Sequence, residues 1–553
     1  MNAPLLRVEQ LQLATAQETL LQPLSFDLDK GSCLGLVGES GSGKSLTSLA
    51  IMGLLPEAIA PAGKIYFQGE ELLTMAPEAR RKLRGRAMSM IFQEPMSSLN
   101  PSQRCGYQVE EVLRWHSRLT NRKRRKRVLE LLEEVELPQV KEMARAYPHQ
   151  LSGGQKQRIM IAMALACRPA LLIADEPTTA LDVSVQASIL KLMARLGSEY
   201  EMGMLFISHD LAVVRSVAHQ VLVLQKGETR EYGSTEKIFK RPHDVYTQGL
   251  LACRPTPETT WRRLPLVRDF LSHQEHQGRQ WQPAEKDRKA LERTRQEPLF
   301  RVEELSKTFK GKPNIWGRRR VVSALDKVSL AVYPGESLGL VGESGSGKTT
   351  LGRMLVGLEP LENGQVYFRE KPLPSQASAL RLLRKQVQII FQDPYASLNP
   401  RLRIGESINE VLRVQQGMSR RQARSTAQEL LEKVGLLPEY YQRYPHAFSG
   451  GQRQRIGIAR ALAVEPQFIV CDESVSALDV SVQAQILNLL NDLKEEYGLT
   501  YLFISHDLNV VKYFCDRIAV LQEGKLVESG PAEGLYRSPK EAYTRKLIRA
   551  VAG

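Results

Sequence analysis

Apolar residues in this chain gather into short dense runs, separated by longer stretches where they return every third or fourth position. Cys33-Leu-Gly-Leu-Val37, Leu171-Leu-Ile-Ala174, Met204-Leu-Phe-Ile207 and Val221-Leu-Val-Leu224 are the dense kind. Runs this short and this apolar predict strands buried on both faces. Val185-Gln-Ala-Ser-Ile-Leu-Lys-Leu-Met193 carries helical spacing instead. Strands alternating with helices imply an α/β domain with a mostly parallel sheet covered on both sides. Between Asn100 and Ala146 the pattern is helical and polar, which predicts a separate helical subdomain. Gln225-Lys-Gly-Glu228 then signals a hairpin.

The second half repeats this order. Strand-like runs return at Leu338-Gly-Leu-Val341, Phe468-Ile-Val470, Tyr501-Leu-Phe-Ile504 and Ile518-Ala-Val-Leu521, with a hairpin signal at Gln522-Glu-Gly-Lys525. Val482-Gln-Ala-Gln-Ile-Leu-Asn-Leu-Leu490 sits 297 residues after its counterpart. A repeat this long is one module written twice. Residues 1–253 form the first module and 298–553 the second, the latter ending in a C-terminal extension. The linker, 254–297, is rich in Pro, Arg, Glu and Gln with little helical periodicity, which predicts a partly ordered connection. Arg279-Gln-Trp281-Gln-Pro283 is its candidate docking point.

Composition narrows the class. The chain is 42% hydrophobic and 25% charged, with a mean hydropathy of −0.29, as in a soluble globular protein. No apolar run reaches the ~18 residues that span a bilayer, and no signal peptide is evident, so any membrane served is crossed by another subunit. The six cysteines are scattered without a C-x-x-C pair, which argues against zinc and a disulfide framework. Net charge is +15, densest at Arg122-Lys-Arg-Arg-Lys-Arg127. That run reads as a solvated helix start, or as a contact for lipid or nucleic acid.

Candidate chemistry is concentrated after the first strand of each module. Gly38, Glu39, Ser40, Gly41, Ser42, Gly43, Lys44 and Ser45 recur as Gly342, Glu343, Ser344, Gly345, Ser346, Gly347, Lys348 and Thr349. Strand, Gly-rich loop, Lys-Ser/Thr and helix form a phosphate-binding P-loop. Its backbone N–H groups turn inward on a polyphosphate, the lysine reaches the β/γ-phosphates, and the hydroxyl serves Mg²⁺. Asp175 and Asp472 end apolar strands, where a carboxylate holds Mg²⁺ opposite that hydroxyl. Glu176 and Glu473 follow, placed to polarise an attacking water. ATP and Mg²⁺ are the expected cofactors.

Further paired motifs complete the pattern: Ile91-Phe-Gln93 and Ile390-Phe-Gln392, Leu151-Ser-Gly-Gly-Gln155 and Phe448-Ser-Gly-Gly-Gln452, Ser208-His209-Asp210 and Ser505-His506-Asp507. The set resembles the ATP-binding cassette (ABC) ATPase family over nearly all of both modules. The resemblance implies two tandem P-loop domains, each a RecA-like, mostly parallel core with an antiparallel β subdomain and a helical subdomain. It implies that Glu176 and Glu473 are catalytic bases, that His209 and His506 contact the γ-phosphate, and that Gln93 and Gln392 serve metal and water. The metal set is then Ser45, Gln93, Asp175, Thr349, Gln392 and Asp472. It further implies that one module's P-loop pairs with the other's signature, Ser152, Gly153, Gly154 or Ser449, Gly450, Gly451, with Asp182 and Asp479 in the linking loops. Both sites keep their glutamate and histidine, so two hydrolytic sites are expected. Phe309 is placed to stack on adenine in the second module, where the first has Thr15. Phe448 and Ser474 also depart from the family pattern.

Gln-Glu/Asp-Pro-x-x-Ser-Leu-Asn-Pro, Tyr-Pro-His before each signature, and Pro242-His-Asp-Val-Tyr-Thr247 with Pro539-Lys-Glu-Ala-Tyr-Thr544 are narrower marks. They resemble the ATPases of oligopeptide, dipeptide and nickel importers. Both modules in one chain resemble the fused ATPases of the glutathione importer and of the Yej peptide (microcin C) importer, and the wording of the motifs more resembles the Yej type. This implies an ATPase powering peptide import from the cytoplasmic face of the inner membrane, with two transmembrane permease subunits and a periplasmic substrate-binding protein as partners. With Cys253 alone in the region after the first module, no iron–sulfur cluster is expected. The alternative is a tandem ATPase acting on ribosomes or nucleic acid, which the Pro-rich linker disfavours.

Overall fold

A computed structural model describes residues 3–93, 98–178, 181–272, 280–313, 319–374, 376–393, 397–476 and 478–552. Residues 94–97 and 394–396 of the Gln-Glu/Asp-Pro motifs, Ala180 and Ala477, and Arg279 lie outside them. The chain forms two units, the first built mainly from residues 1–251 and the second from 252–553.

In the first unit, Leu6–Ala14 (β1), Thr19–Leu28 (β2), Ala60–Phe67 (β4) and Glu70–Glu71 (β5) make an antiparallel sheet in the order β2-β1-β4-β5. The six-stranded sheet contains Cys33–Val37 (β3), Met88–Ile91 (β6), Leu171–Asp175 (β7), Gly203–Ser208 (β8), Gln220–Gln225 (β9) and Glu228–Ser234 (β10). Its order is β10-β9-β3-β8-β7-β6, parallel except for the β9–β10 hairpin. β3 and β7 are buried at every residue, as an uninterrupted apolar run requires. The core lies between the two sheets: Leu11, Leu21 and Phe67 from one meet Leu36, Ile173 and Ile207 from the other.

The second unit repeats this topology. Its antiparallel sheet is Arg319–Val332 (β12), Phe300–Pro313 (β11), Asn363–Phe368 (β14) and Lys371–Pro372 (β15), in that spatial order. Its six-stranded sheet runs Val387–Ile390 (β16), Phe468–Asp472 (β17), Thr500–Ile504 (β18), Ser337–Val341 (β13), Arg517–Gln522 (β19) and Lys525–Pro531 (β20). Helices Cys105–His116, Asn121–Glu134 and Val140–Arg145 form the expected helical subdomain, mirrored by Ile404–Gln416 and Arg420–Lys433. Both units therefore have the expected fold class.

The basic run begins helix Asn121–Glu134. Arg124 and Arg127 are engaged within the subdomain, Arg127 pairing with Glu134 at 2.6 Å, while Arg122, Lys123, Arg125 and Lys126 are exposed.

The connecting segment differs from its expected irregularity. Pro283–Arg293 is a helix, started by proline at its first position, where no N–H is needed. Only Lys286 and Ala290 are buried along it, so the apolar period that marks a helix is absent. Ion pairs four residues apart, Lys289–Glu285 and Arg288–Glu292, support the exposed face. Trp281 lies beneath Arg262, 4.0 Å from ring centre to guanidinium carbon. Residues 252–266 and 280–298 fold with the second unit.

Candidate active site

Each P-loop turns between the central strand and a helix, Lys44–Met52 or Lys348–Leu355. Gly38 has φ 153°, and a Cβ there would lie 2.1 Å from the carbonyl oxygen of Leu224, so the neighbouring strand leaves room for glycine alone. Lys44 is buried, its ammonium 2.8 Å from the Gly38 carbonyl and 2.7 Å from that of Glu39. Lys348 repeats this at 2.7 and 2.9 Å. Burial pushes the Lys348 pKa down. Both cations are thus held at the mouth of a loop of inward amides, a cradle for anions.

Asp175 ends β7 close to Ser45, whose hydroxyl only partly offsets the effect of burial on it. Burial raises this carboxyl to about 6, and its Oδ1 is buried without a hydrogen-bond partner among the described residues. Thr349 donates to Asp472 at 2.9 Å in the second unit, and burial raises Asp472 likewise. A buried carboxylate oxygen lacking a donor, next to a hydroxyl and a phosphate cradle, fits a hard divalent cation.

Glu176 and Glu473 both take φ 47°, fixed by backbone N–H bonds to Ile207 and Ile504 on the adjacent strand. That turn aims each carboxylate at two partners. Gln93 donates to Glu176 at 3.0 Å, and His209 Nδ1 lies 3.1 Å from it. Gln392 donates to Glu473 at 2.8 Å, with His506 Nδ1 at 3.6 Å. Burial disfavours charge on Glu473, but His506 and Lys348 more than offset it, leaving the carboxyl below its usual range. Burial is the largest influence on His506 and lowers its pKa, but Glu473 and other nearby carboxylates, Asp507 among them, together outweigh it, so the net shift is upward. Asp210 and Asp507 anchor the histidine turns by capping the helices that follow, accepting from Ala212 and Asn509 at 2.9 Å each.

Ser152 and Ser449 cap helices Gly153–Leu165 and Gly450–Leu462, each in a reciprocal box with Gln155 or Gln452. A Cβ on Gly154 would lie 2.5 Å from Val185 Cγ1, and one on Gly451 2.2 Å from Val482 Cγ1. These glycines therefore also serve close helix packing. Phe448 is buried against Tyr440. Phe309 is 42% exposed on β11, its ring 5.5 Å from the Lys307 ammonium. Thr15 instead closes the β1–β2 turn, its hydroxyl accepting from Gln17 and Glu18. Asp182 and Asp479 immediately precede helices Val183–Glu199 and Val480–Tyr497.

One contact escaped the sequence reading. The Tyr543 hydroxyl accepts the Glu343 backbone N–H, and Lys546 lies 3.5 Å from the Glu343 carboxylate. The only signal was the repeated tail motif, whose tyrosine carried no assigned role.

Fold and site together define a tandem P-loop ATPase with a carboxylate, glutamine and histidine grouped in each unit. The profile described as "ABC transporter" matches residues 21–179 and 325–476, and "Oligopeptide/dipeptide transporter, C-terminal region" matches 230–278. Proteins named glutathione import ATP-binding protein GsiA, from Escherichia coli O6:H1, Shigella sonnei and Escherichia coli K12, are each 46% identical over 99% of this chain and 89% of their own length. The chain belongs to the ABC transporter family, as an ATP-binding, transport-coupled ATPase of the oligopeptide/dipeptide importer type. Among the described residues no helix is long and apolar enough to cross a membrane.

Proposed function

We propose that this chain hydrolyses ATP at two sites to power import of peptides or peptide-like compounds through separate permease subunits. The observation that carries the reading is the complete Gln–Glu–His group beside a P-loop in both units. Lys44 and Lys348 exchange their loop carbonyls for the β/γ-phosphates. Ser45, Asp175 and Gln93, and Thr349, Asp472 and Gln392, would hold Mg²⁺, which neutralises phosphate charge when bound. Glu176 and Glu473 take the proton of the attacking water, oriented by Gln93 and Gln392, while His209 and His506 hold the carboxylate and meet the γ-phosphate. The family resemblance pairs each P-loop with the opposite signature, Ser449–Gly451 or Ser152–Gly154, and puts Phe309 on adenine.

The relatives' glutathione-import names and the microcin C-type motifs both support a short peptide-like cargo. The protein then works at the cytoplasmic face of the inner membrane with two permeases and a periplasmic binding protein. Purifying the tagged chain from its native host in mild detergent tests this. Two multi-span subunits and a solute-binding protein are expected; ribosomal proteins or RNA without them overturn the reading. Uptake assays comparing glutathione with a microcin C-type peptide assign the cargo, and a Lys44→Ala/Lys348→Ala variant abolishes uptake.

A further inference from the structure

Two duplicated helices differ in what covers them. Leu508–Phe514, which begins directly after His506 and Asp507, is buried at every residue, Lys512 and Tyr513 included. In Leu211–Val217, which follows His209 and Asp210, the matching Arg215 and Ser216 are exposed.

The cover on the second helix is the connecting segment. Lys286 sets its ammonium 2.5 Å from the Lys512 carbonyl and 3.0 Å from that of Tyr513. This is the helix end whose carbonyls lack intrahelical donors and favour a cation. The Tyr513 hydroxyl donates to the Arg262 carbonyl at 3.0 Å, and Lys512 donates to the Pro257 carbonyl. Asn488 exchanges two bonds of 2.9 Å with the backbone of Leu264. Arg293 pairs at 2.7 Å with Asp516, just beyond the helix.

We propose that the connecting segment is a positioning element for the second site, with Lys286 as its central contact. By gripping the far end of helix Leu508–Phe514, it fixes where His506, at the near end, stands against Glu473. A helix of about two turns spans only ~10 Å and moves as one piece, so a shift at Tyr513 reaches His506. Among the described residues the first site's helix carries no such cover at Arg215 and Ser216, so the two sites differ in how firmly their histidines are held. The inference rests on the reading of His506 and Glu473 as hydrolytic groups.

Lys286→Met, which keeps the stem and deletes the ammonium, tests it in two backgrounds. Glu176→Gln leaves the second site to report, and Glu473→Gln the first. The expected result is a second-site kcat lower by about tenfold with KM for ATP held, since the P-loop is untouched, and an unchanged first-site rate. Amide hydrogen exchange at residues 508–515 rises while that at 211–217 does not. Tyr513→Phe, which removes the bond to Arg262 and the longer 3.4 Å contacts with Asn488 and Asn491, moves the same quantities less and guards against a folding defect. Equal losses at both sites, or an unchanged second-site kcat, overturn the proposal. If Glu176→Gln alone abolishes turnover, the hydrolytic reading of the second site fails first. Exchange then decides the clamp separately, and unchanged exchange at 508–515 overturns it.

Discussion

Tyr543 holds the second P-loop by its backbone: the phenol oxygen accepts the Glu343 N–H at 3.1 Å. The last helix, Ala542–Ala552, is thereby tied to the loop that receives phosphate. Tyr543→Phe leaves that N–H without its acceptor, at a cost of about 1 kcal/mol, or about fivefold in affinity. Titration with a fluorescent ATP analogue, in a Lys44→Ala background that silences the first site, reads the loss.

Glu176 and Glu473 are each expected to be necessary for turnover at their own site. Glu176→Gln and Glu473→Gln each lower steady-state ATPase, and the double variant lowers it by about 10²–10⁴. ATP binding is retained, since both lysines and both loops are intact. A single variant with wild-type turnover would show that its site is not catalytic.

Gly154 meets Val185 so closely that the pair behaves as one packing unit. Gly154→Ala costs about 1–3 kcal/mol by overpacking. Adding Val185→Ala opens the space again, so the double variant recovers much of the loss in denaturant unfolding. Additive losses would mean that the glycine answers to something other than Val185.

Asp516 supplies a pH signature for the second unit. Burial alone would raise its carboxyl, but Lys494 and Arg293 outweigh that and hold it at about 2, against 3.8 unperturbed. A depressed folded-state pKa stabilises above the unfolded value and ceases to do so as pH falls through the folded one. About 2 kcal/mol is therefore present at pH 7 and lost between about pH 4 and pH 2. Asp516→Asn loses at least that much at pH 7, and the gap from wild type closes toward pH 2. Thermal melts across that range check it.

What was legible in the sequence was contiguous. P-loops, strand-end carboxylates and signatures each sit within a few residues, so composition and spacing reveal them, and the dense apolar runs mark the strands of the parallel core. Tyr543 and Glu343 are 200 residues apart, and only folding joins them. Helix Pro283–Arg293 was hidden because its two buried positions are Lys286 and Ala290, which make no hydrophobic stripe. The second task of Gly154 was equally invisible, since Val185 lies in a different helix.

Both units lie in one polypeptide, and that bears on inheritance. In an assembly of two copies of one gene product, every mutation strikes both sites at once. Here Thr15 closes a turn while Phe309 stays an exposed aromatic, and Pro177 follows one glutamate where Ser474 follows the other. Each half drifts under its own selection, so one site is free to specialise without altering its twin.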